Sequence, residues 1–202
     1  MSNVVLESPL AALTGLGQRV LSVDGARVTL GELAFTEMLN IRGNPAHAGF
    51  VEAVHSATGL SLPQVANTAS VGATGQLLWL GPDEWVLKFP PSAAPYHHPG
   101  AAEAMEATLR GALAGQHVSL VPVGHGFTTL TVQGEGAADL LARGCPLDLH
   151  PRAFGAGAVA QSHVAKAGAT LLCLSAGTHY ELTVRRSFAD YLYRWLCEAG
   201  AA

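Results

Sequence analysis

Charge is scarce in this chain. Aspartate, glutamate, lysine and arginine make up 13% of its 202 residues, and lysine plus arginine number only 11. With a formal net charge of −4 and no basic stripe to neutralise phosphates, a nucleic-acid partner is disfavoured. Long apolar runs are also missing. Hydrophobic residues reach 49%, yet no segment approaches the roughly 20 apolar residues needed to span a bilayer, so no membrane partner is expected. The opening "MSNVVLESPLAAL" lacks a basic lead followed by a long apolar core, and no secretory signal is expected. Cysteine is limited to Cys145, Cys173 and Cys197, far apart and without CxxC or other metal spacing. They read as buried free thiols of a reducing cytoplasm. The GxSxG elbow and the GxGxxG and GxxxxGK[ST] phosphate loops are absent too. A chain this apolar and this weakly charged is suited to covering part of its surface with a partner.

Turn signals divide what is present. Residues 1–18 form a Gly/Ala-rich lead-in, expected to be an arm. Apolar runs flank Asp24-Gly25, the strongest short hairpin signal. "FTEMLNIRG" alternates as a strand and stops at Gly43-Asn44-Pro45. A helix is expected from Pro45, with Phe50, Val51, Val54 and Ala57 on one face and Gly59 as its stop. Residues 60–75 read as a loop, followed by strands "QLLWL" and "EWVLKF" around Gly81-Pro82-Asp83-Glu84. "AAEAMEATLRGAL" favours helix, "HVSLVPV" and "FTTLTVQ" favour strand, and "GEGAADLLARG" is a short helix closed by Gly144. Three further strands follow the two-proline loop "CPLDLHPRAF". In the last helix Ser187 can cap, and Phe188, Tyr191, Leu192, Trp195 and Leu196 share a face, with Asp190 and Arg194 paired outside. Residues 34–123 thus read strand, helix, strand, strand, helix, strand, and residues 127–198 repeat much of that order. The expected fold is α+β: two ferredoxin-like split βαβ units sharing one core. Residues 1–202 form one domain, with the arm at 1–18 and halves at 34–123 and 124–202.

Groups that could do chemistry are few. Asp83 and Glu84 are adjacent, so on an extended chain their side chains point apart, and Asp83 is expected to bond nearby amides within a turn. Trp79 and Trp85 on the arms of that turn read as anchors of a core or an interface. Asp148 and His150, spaced i,i+2 near Cys145 and Arg152, could form a dyad; the alternative is a rigid loop in which Asp148 contacts Arg152. Of the nine histidines, His97 and His98 adjoin in a Pro-rich loop and His47 and His55 lie eight apart. His117, His125, His163 and His179 are isolated near strand ends, and none has metal spacing. "GHGF" at Gly124–Phe127 lies between two strands and reads as a turn carrying a solvated histidine.

Five ordered segments resemble a known family. "LNIRGNPAHAGF" with its Asn40-x-Arg42-Gly43 turn, "LPQVANT", "LWLGPDEWVL", "GCPLDLHPRAF" and "VRRSFADYLYRWL" are similar to the gamma subunit of heterotetrameric sarcosine oxidase. The resemblance runs from about Val28 to Leu196. It implies a fold similar to the folate-binding domain of the glycine-cleavage T-protein. It further implies membership of a complex that oxidatively demethylates sarcosine to glycine, yielding hydrogen peroxide and formaldehyde or methylene-tetrahydrofolate. By that resemblance the alpha subunit carries NAD and a tetrahydrofolate site, the beta subunit carries FAD and shares FMN, and the delta subunit holds zinc. The gamma chain itself is then a structural, non-catalytic subunit with no cofactor of its own. Asn40, Arg42, Trp79, Asp83, Trp85, Asp148, His150 and Arg152 are its interface or structural candidates. One departure matters: "GHGFT" puts His125 where the family commonly has an acidic residue and Phe127 where it has arginine. That weighs against the alternative of a free-standing folate-binding or aminomethyltransferase-like protein. A small hydrolase using Cys145, Asp148 or His150 has no supporting motif.

Overall fold

Asp24 and Gly25 both take positive φ, 50° and 85°, the backbone that a tight two-residue hairpin demands. They fold Arg19–Val23 (β1) onto Ala26–Leu33 (β2), as the dipeptide predicts, after one turn of helix at Ala11–Thr14 (α1). The structure is a computed structural model that describes residues 7–14, 18–91 and 100–201. Part of the expected arm and the His97-His98 pair lie outside those residues.

The next elements are Met38–Arg42 (β3), Ala48–Thr58 (α2), Ala69–Gly72 (β4), Gly75–Gly81 (β5), Glu84–Lys88 (β6), Ala101–Ala112 (α3) and Ser119–Pro122 (β7). They lie in a compact unit, Phe35–His125. Its sheet runs β4-β5-β6-β3-β7, all antiparallel. The interleaving of β3 between β6 and β7 is what two split βαβ crossovers through α2 and α3 produce. Two details differ from expectation. The helix begins at Ala48, because Asn44 Oδ1 accepts the Ala46 amide (2.9 Å) and Asn44 O accepts the His47 amide (3.1 Å), holding Pro45 in a turn. Gly59, at φ 70°, ends it as expected. The stretch 60–75 is not all loop, since β4 pairs with β5 from Gly72↔Gly75 to Ala69↔Leu78. Four residues, two exposed and two half-buried, carry no alternating pattern, so pairing alone makes them a strand.

The remaining elements are a 3₁₀ turn at Gly124–Gly126, Phe127–Gln133 (β8), Ala137–Ala142 (α4), Val159–Val164 (β9), Ala167–Ser175 (β10), His179–Arg185 (β11) and Arg186–Ala199 (α5). The second unit combines Met1–Ala34 with Gly126–Ala202, and its sheet order is β1-β2-β8-β11-β10-β9. In a split βαβ order the closing strand lies beside β8, and that place is taken by β2. The amino-terminal hairpin therefore completes the carboxy-terminal ferredoxin-like unit. Nothing local in "RVLSVDGARVTL" announces that partner. Glu32 of β2 fastens the preceding segment: Ser8 Oγ and Thr128 Oγ1 both donate to its carboxylate, and Leu10 is fully buried in this unit's core.

In α5 the buried stripe is Ala189, Leu192, Tyr193, Leu196 and Cys197, while Phe188 and Tyr191 remain 43% and 36% exposed. The expected face was rotated by part of a turn. Two overlapping stripes satisfy the 3.6-residue period, and the sheet beneath decides between them. Arg185 is the N-cap and no side chain caps the helix, so Ser187 lies inside it. Asp190 and Arg194 do pair on the outer side, Nε to Oδ2 at 3.0 Å.

The single core expected resolves into two clusters of buried residues. Leu39, Ile41, Phe50, Leu77 and Trp85 belong to one in Phe35–His125. Val28, Leu130, Leu171, Tyr180 and Leu192 belong to one in the other unit. Each sheet buries one face under its own helices, so each unit closes by itself. No described helix is long and apolar enough to cross a membrane.

Candidate functional site

Asn40 and Arg42 are two residues apart on β3 and so share a face, and the ladder sets Arg42 opposite Glu84 of β6. Asn40 Nδ2 donates to Glu84 Oε1 at 2.8 Å. Arg42 Nη2 lies 3.2 Å from Glu84 Oε2 and 3.8 Å from Asp83 Oδ1. The adjacent carboxylates were expected to diverge; they converge on one guanidinium, because Asp83 sits in the turn and not on an extended strand. Its side chain faces Arg42 instead of a local amide. With 50% of the Arg42 side chain and 66% of the Asp83 side chain exposed, that pair is screened and adds well under about 1 kcal/mol. The main chain ties more firmly: the Gly43 amide donates to Asp83 O at 3.1 Å, joining the β3–α2 loop to the β5–β6 tip. Gly43 must be glycine, since a Cβ there would lie 2.4 Å from the Phe50 ring.

The tryptophans separate into two roles. Trp85 is fully buried, its Nε1 donates to Pro63 O at 2.7 Å, and its ring lies 5.8 Å from that of Phe50. Of the core and interface readings, the core one holds for Trp85. Trp79, opposite it in the ladder, is half-buried and packs against the same cluster.

Three connections converge beyond this cluster: the β3–α2 loop, the β5–β6 tip and the α3–β7 loop. They enclose an open groove of about 910 Å³, lined by Arg42, His47, Asp83, Gln116, His117 and Ser119 among others. His47 and His117 looked unrelated in sequence, Asn44 signalled only a turn, and Gln116 and Ser119 carried no signal. Only the closing of the sheet brings these loops to one end.

The loop at Cys145–Phe154 is built differently from either expectation. Asp148 Oδ1 accepts the His150 amide at 2.9 Å, and His150 Nδ1 accepts the Arg152 amide at 3.2 Å. Both side chains are engaged by main chain, so no dyad forms. No ion pair joins Asp148 to Arg152 among the described residues. The chain bends in successive turns here, which removes the one-face relation that i,i+2 spacing has on a strand. Cys145, Leu149 and Phe154 are buried, with Phe154 stacked on Tyr180 at 6.3 Å and Tyr180 Oη donating to Leu149 O at 3.4 Å.

Other candidates hold structural places. His55 Nδ1 meets Leu60 O at 3.2 Å, and His179 Nε2 meets Gln133 Nε2 at 3.0 Å. Burial lowers the His179 pKa and the Glu181 carboxylate opposes that shift. Phe127, the residue in place of arginine, lies under the Arg185 guanidinium at 5.5 Å. No group of three or more metal-ligating side chains occurs among the described residues. All three cysteines are free and buried, and burial pushes the Cys173 and Cys197 thiols up. A chromogenic disulfide reagent at neutral pH is therefore expected to find no fast-reacting thiol in the folded chain. It should titrate three after denaturation. A rapid stoichiometric reaction before unfolding contradicts the burial argument.

Comparison with known proteins gives one consistent answer. The family model described as "Sarcosine oxidase, gamma subunit family" matches residues 42–202. "Sarcosine oxidase subunit gamma" of Corynebacterium sp. (strain U-96) is 32% identical over 200 residues, covering 98% of this chain and 91% of that one. Its counterpart in Corynebacterium sp. (strain P-1) is 30% identical over 173 residues, 85% and 79% of the two chains. Among solved structures, a chain of the heterotetrameric sarcosine oxidase from Corynebacterium sp. U-96 in complex with pyrrole 2-carboxylate superposes with a TM-score of 0.82 at 30% identity, covering 96% of this chain and 94% of that one. The glycine cleavage system aminomethyltransferase T from Bartonella henselae matches at TM-score 0.60 and 16% identity over 96% of this chain and 57% of that one, a likeness of fold alone. By the family match and the near-complete overlap with these relatives, the chain belongs to the sarcosine oxidase gamma subunit family.

Proposed function

We propose that this chain works as the assembly subunit of a heterotetrameric sarcosine oxidase and contributes no reacting group. The observation that carries the reading is the correspondence of 96% of the chain with one chain of such an enzyme. The state of its own side chains supports the second half. Asp148 and His150 are occupied by main-chain amides, and Cys173 and Cys197 are buried thiols with raised pKa. In this reading alpha, beta and delta subunits are the partners, the location is cytoplasmic, and the complex oxidises sarcosine to glycine with release of hydrogen peroxide. FAD, FMN, NAD, tetrahydrofolate and zinc then belong to those other subunits, and no step is routed through this chain.

Co-expression with the neighbouring reading frames, then affinity capture through this chain, tests the reading. Flavin-bearing partners should co-purify with sarcosine-dependent peroxide formation. A stable monomer that captures no flavoprotein rejects it. Arg152, exposed on the two-proline loop, is offered as an interface residue. Arg152→Ala is expected to weaken assembly and leave the isolated chain's melting unchanged, whereas intact assembly with lost turnover points to a direct catalytic part.

A further inference from the structure

We propose that the groove at the end of the Phe35–His125 unit docks an extended segment of a partner subunit, with a lysine or arginine of that segment set against Asp83. The inference rests on the assembly reading above and goes beyond it by naming a surface and a chemistry. Charge selects the basic residue. Arg42 is matched by Glu84 at 3.2 Å, which Asn40 also holds, while Asp83 approaches Arg42 only to 3.8 Å and stays 66% exposed. Within the groove Arg42 and Asp83 are the charged lining, and Glu84, beside it, already matches Arg42, so the cluster of three is net negative with Asp83 the less committed carboxylate. A cation there completes the balance.

The lining supplies the rest. The side chains of His47, Gln116, His117 and Ser119 line the groove and make no hydrogen bond or ion pair among the described residues. Each offers donors or acceptors of the kind a passing main chain uses. The groove is partly open to solvent, whereas small-molecule sites enclose most of their ligand, which favours a polypeptide over a metabolite. Its rim is already rigid: Gly43 N to Asp83 O at 3.1 Å, Asn44 O to His47 N at 3.1 Å, and the Asn44 side chain to Ala46 N at 2.9 Å. Pre-set loops lose little freedom on binding.

The test uses the co-expressed complex. Asp83→Lys is expected to lower partner capture at low salt by roughly tenfold, with Asp83→Asn intermediate. Circular dichroism melting of both variants should match the parent, since Asp83 is an exposed turn residue. Diethyl pyrocarbonate supplies a second readout: His47 and His117, both exposed in the isolated chain, should be modified there and protected in the complex. Parent-level capture by Asp83→Lys, or equal modification of both histidines with and without partners, overturns the proposal while the assembly reading stands. Failure of the parent chain to capture any partner removes both.

Discussion

Trp85→Ala should lose about 3–5 kcal/mol of stability, the largest effect expected of any single side chain in the Phe35–His125 unit. The indole is fully buried and packs beside Phe50. Truncation opens a cavity the size of the ring system and leaves the buried Pro63 carbonyl without the indole N–H that reaches it at 2.7 Å. Both costs fall on the same residue, one from lost packing and one from a lost polar partner. Trp85→Phe separates them, because it keeps most of the volume and drops the hydrogen bond. It should cost about 1–3 kcal/mol. Chemical denaturation followed by circular dichroism checks both values. A loss below about 1 kcal/mol for the alanine variant refutes the core assignment.

Gly134→Ala is expected to be nearly as damaging, by on the order of 3 kcal/mol or more. Gly134 has φ 127°, and a Cβ would stand 2.0 Å from the Arg27 carbonyl oxygen, which is backbone and cannot rotate away. Gly25→Ala is the control: its φ is 85° but a Cβ there meets nothing within 4 Å. It should cost only about 1–2 kcal/mol for the left-handed backbone alone. The difference between the variants measures how closely the loop after β8 packs over β2. Equal losses reject that close approach, and with it the argument that the amino-terminal hairpin is built into the carboxy-terminal unit.

Much of this was legible because it is local. Asp24-Gly25 must turn, Gly59 must stop a helix, and Gly81-Pro82-Asp83-Glu84 must join two strands, since each depends on φ preferences of a few neighbouring residues. The alternation of short strands and amphipathic helices was enough for an α+β order of split βαβ units, and five ordered segments carried the family. Where the reading failed, the deciding partner was remote. The stripe of α5 that turns inward depends on the sheet below it, so Phe188 and Tyr191, which fit the period, stay outside. The i,i+2 rule misled at Asp148 and His150 because it holds for an extended chain, and turns put each side chain on a main-chain amide.

By itself the sequence determined the turn chemistry, the helix and strand inventory apart from α1 and β4, the absence of phosphate-loop and nucleophile motifs, and the family. These follow from short-range sterics, periodicity and residue order, all of which lie along the chain. Tertiary structure alone decided that β2 closes the last ferredoxin-like unit, that buried residues gather in two clusters, and that Asp83 and Glu84 meet on Arg42. It also decided that His47 and His117 share one groove. Each of those relations joins residues that only the pairing of strands brings together, and pairing is set by which apolar faces can be buried jointly.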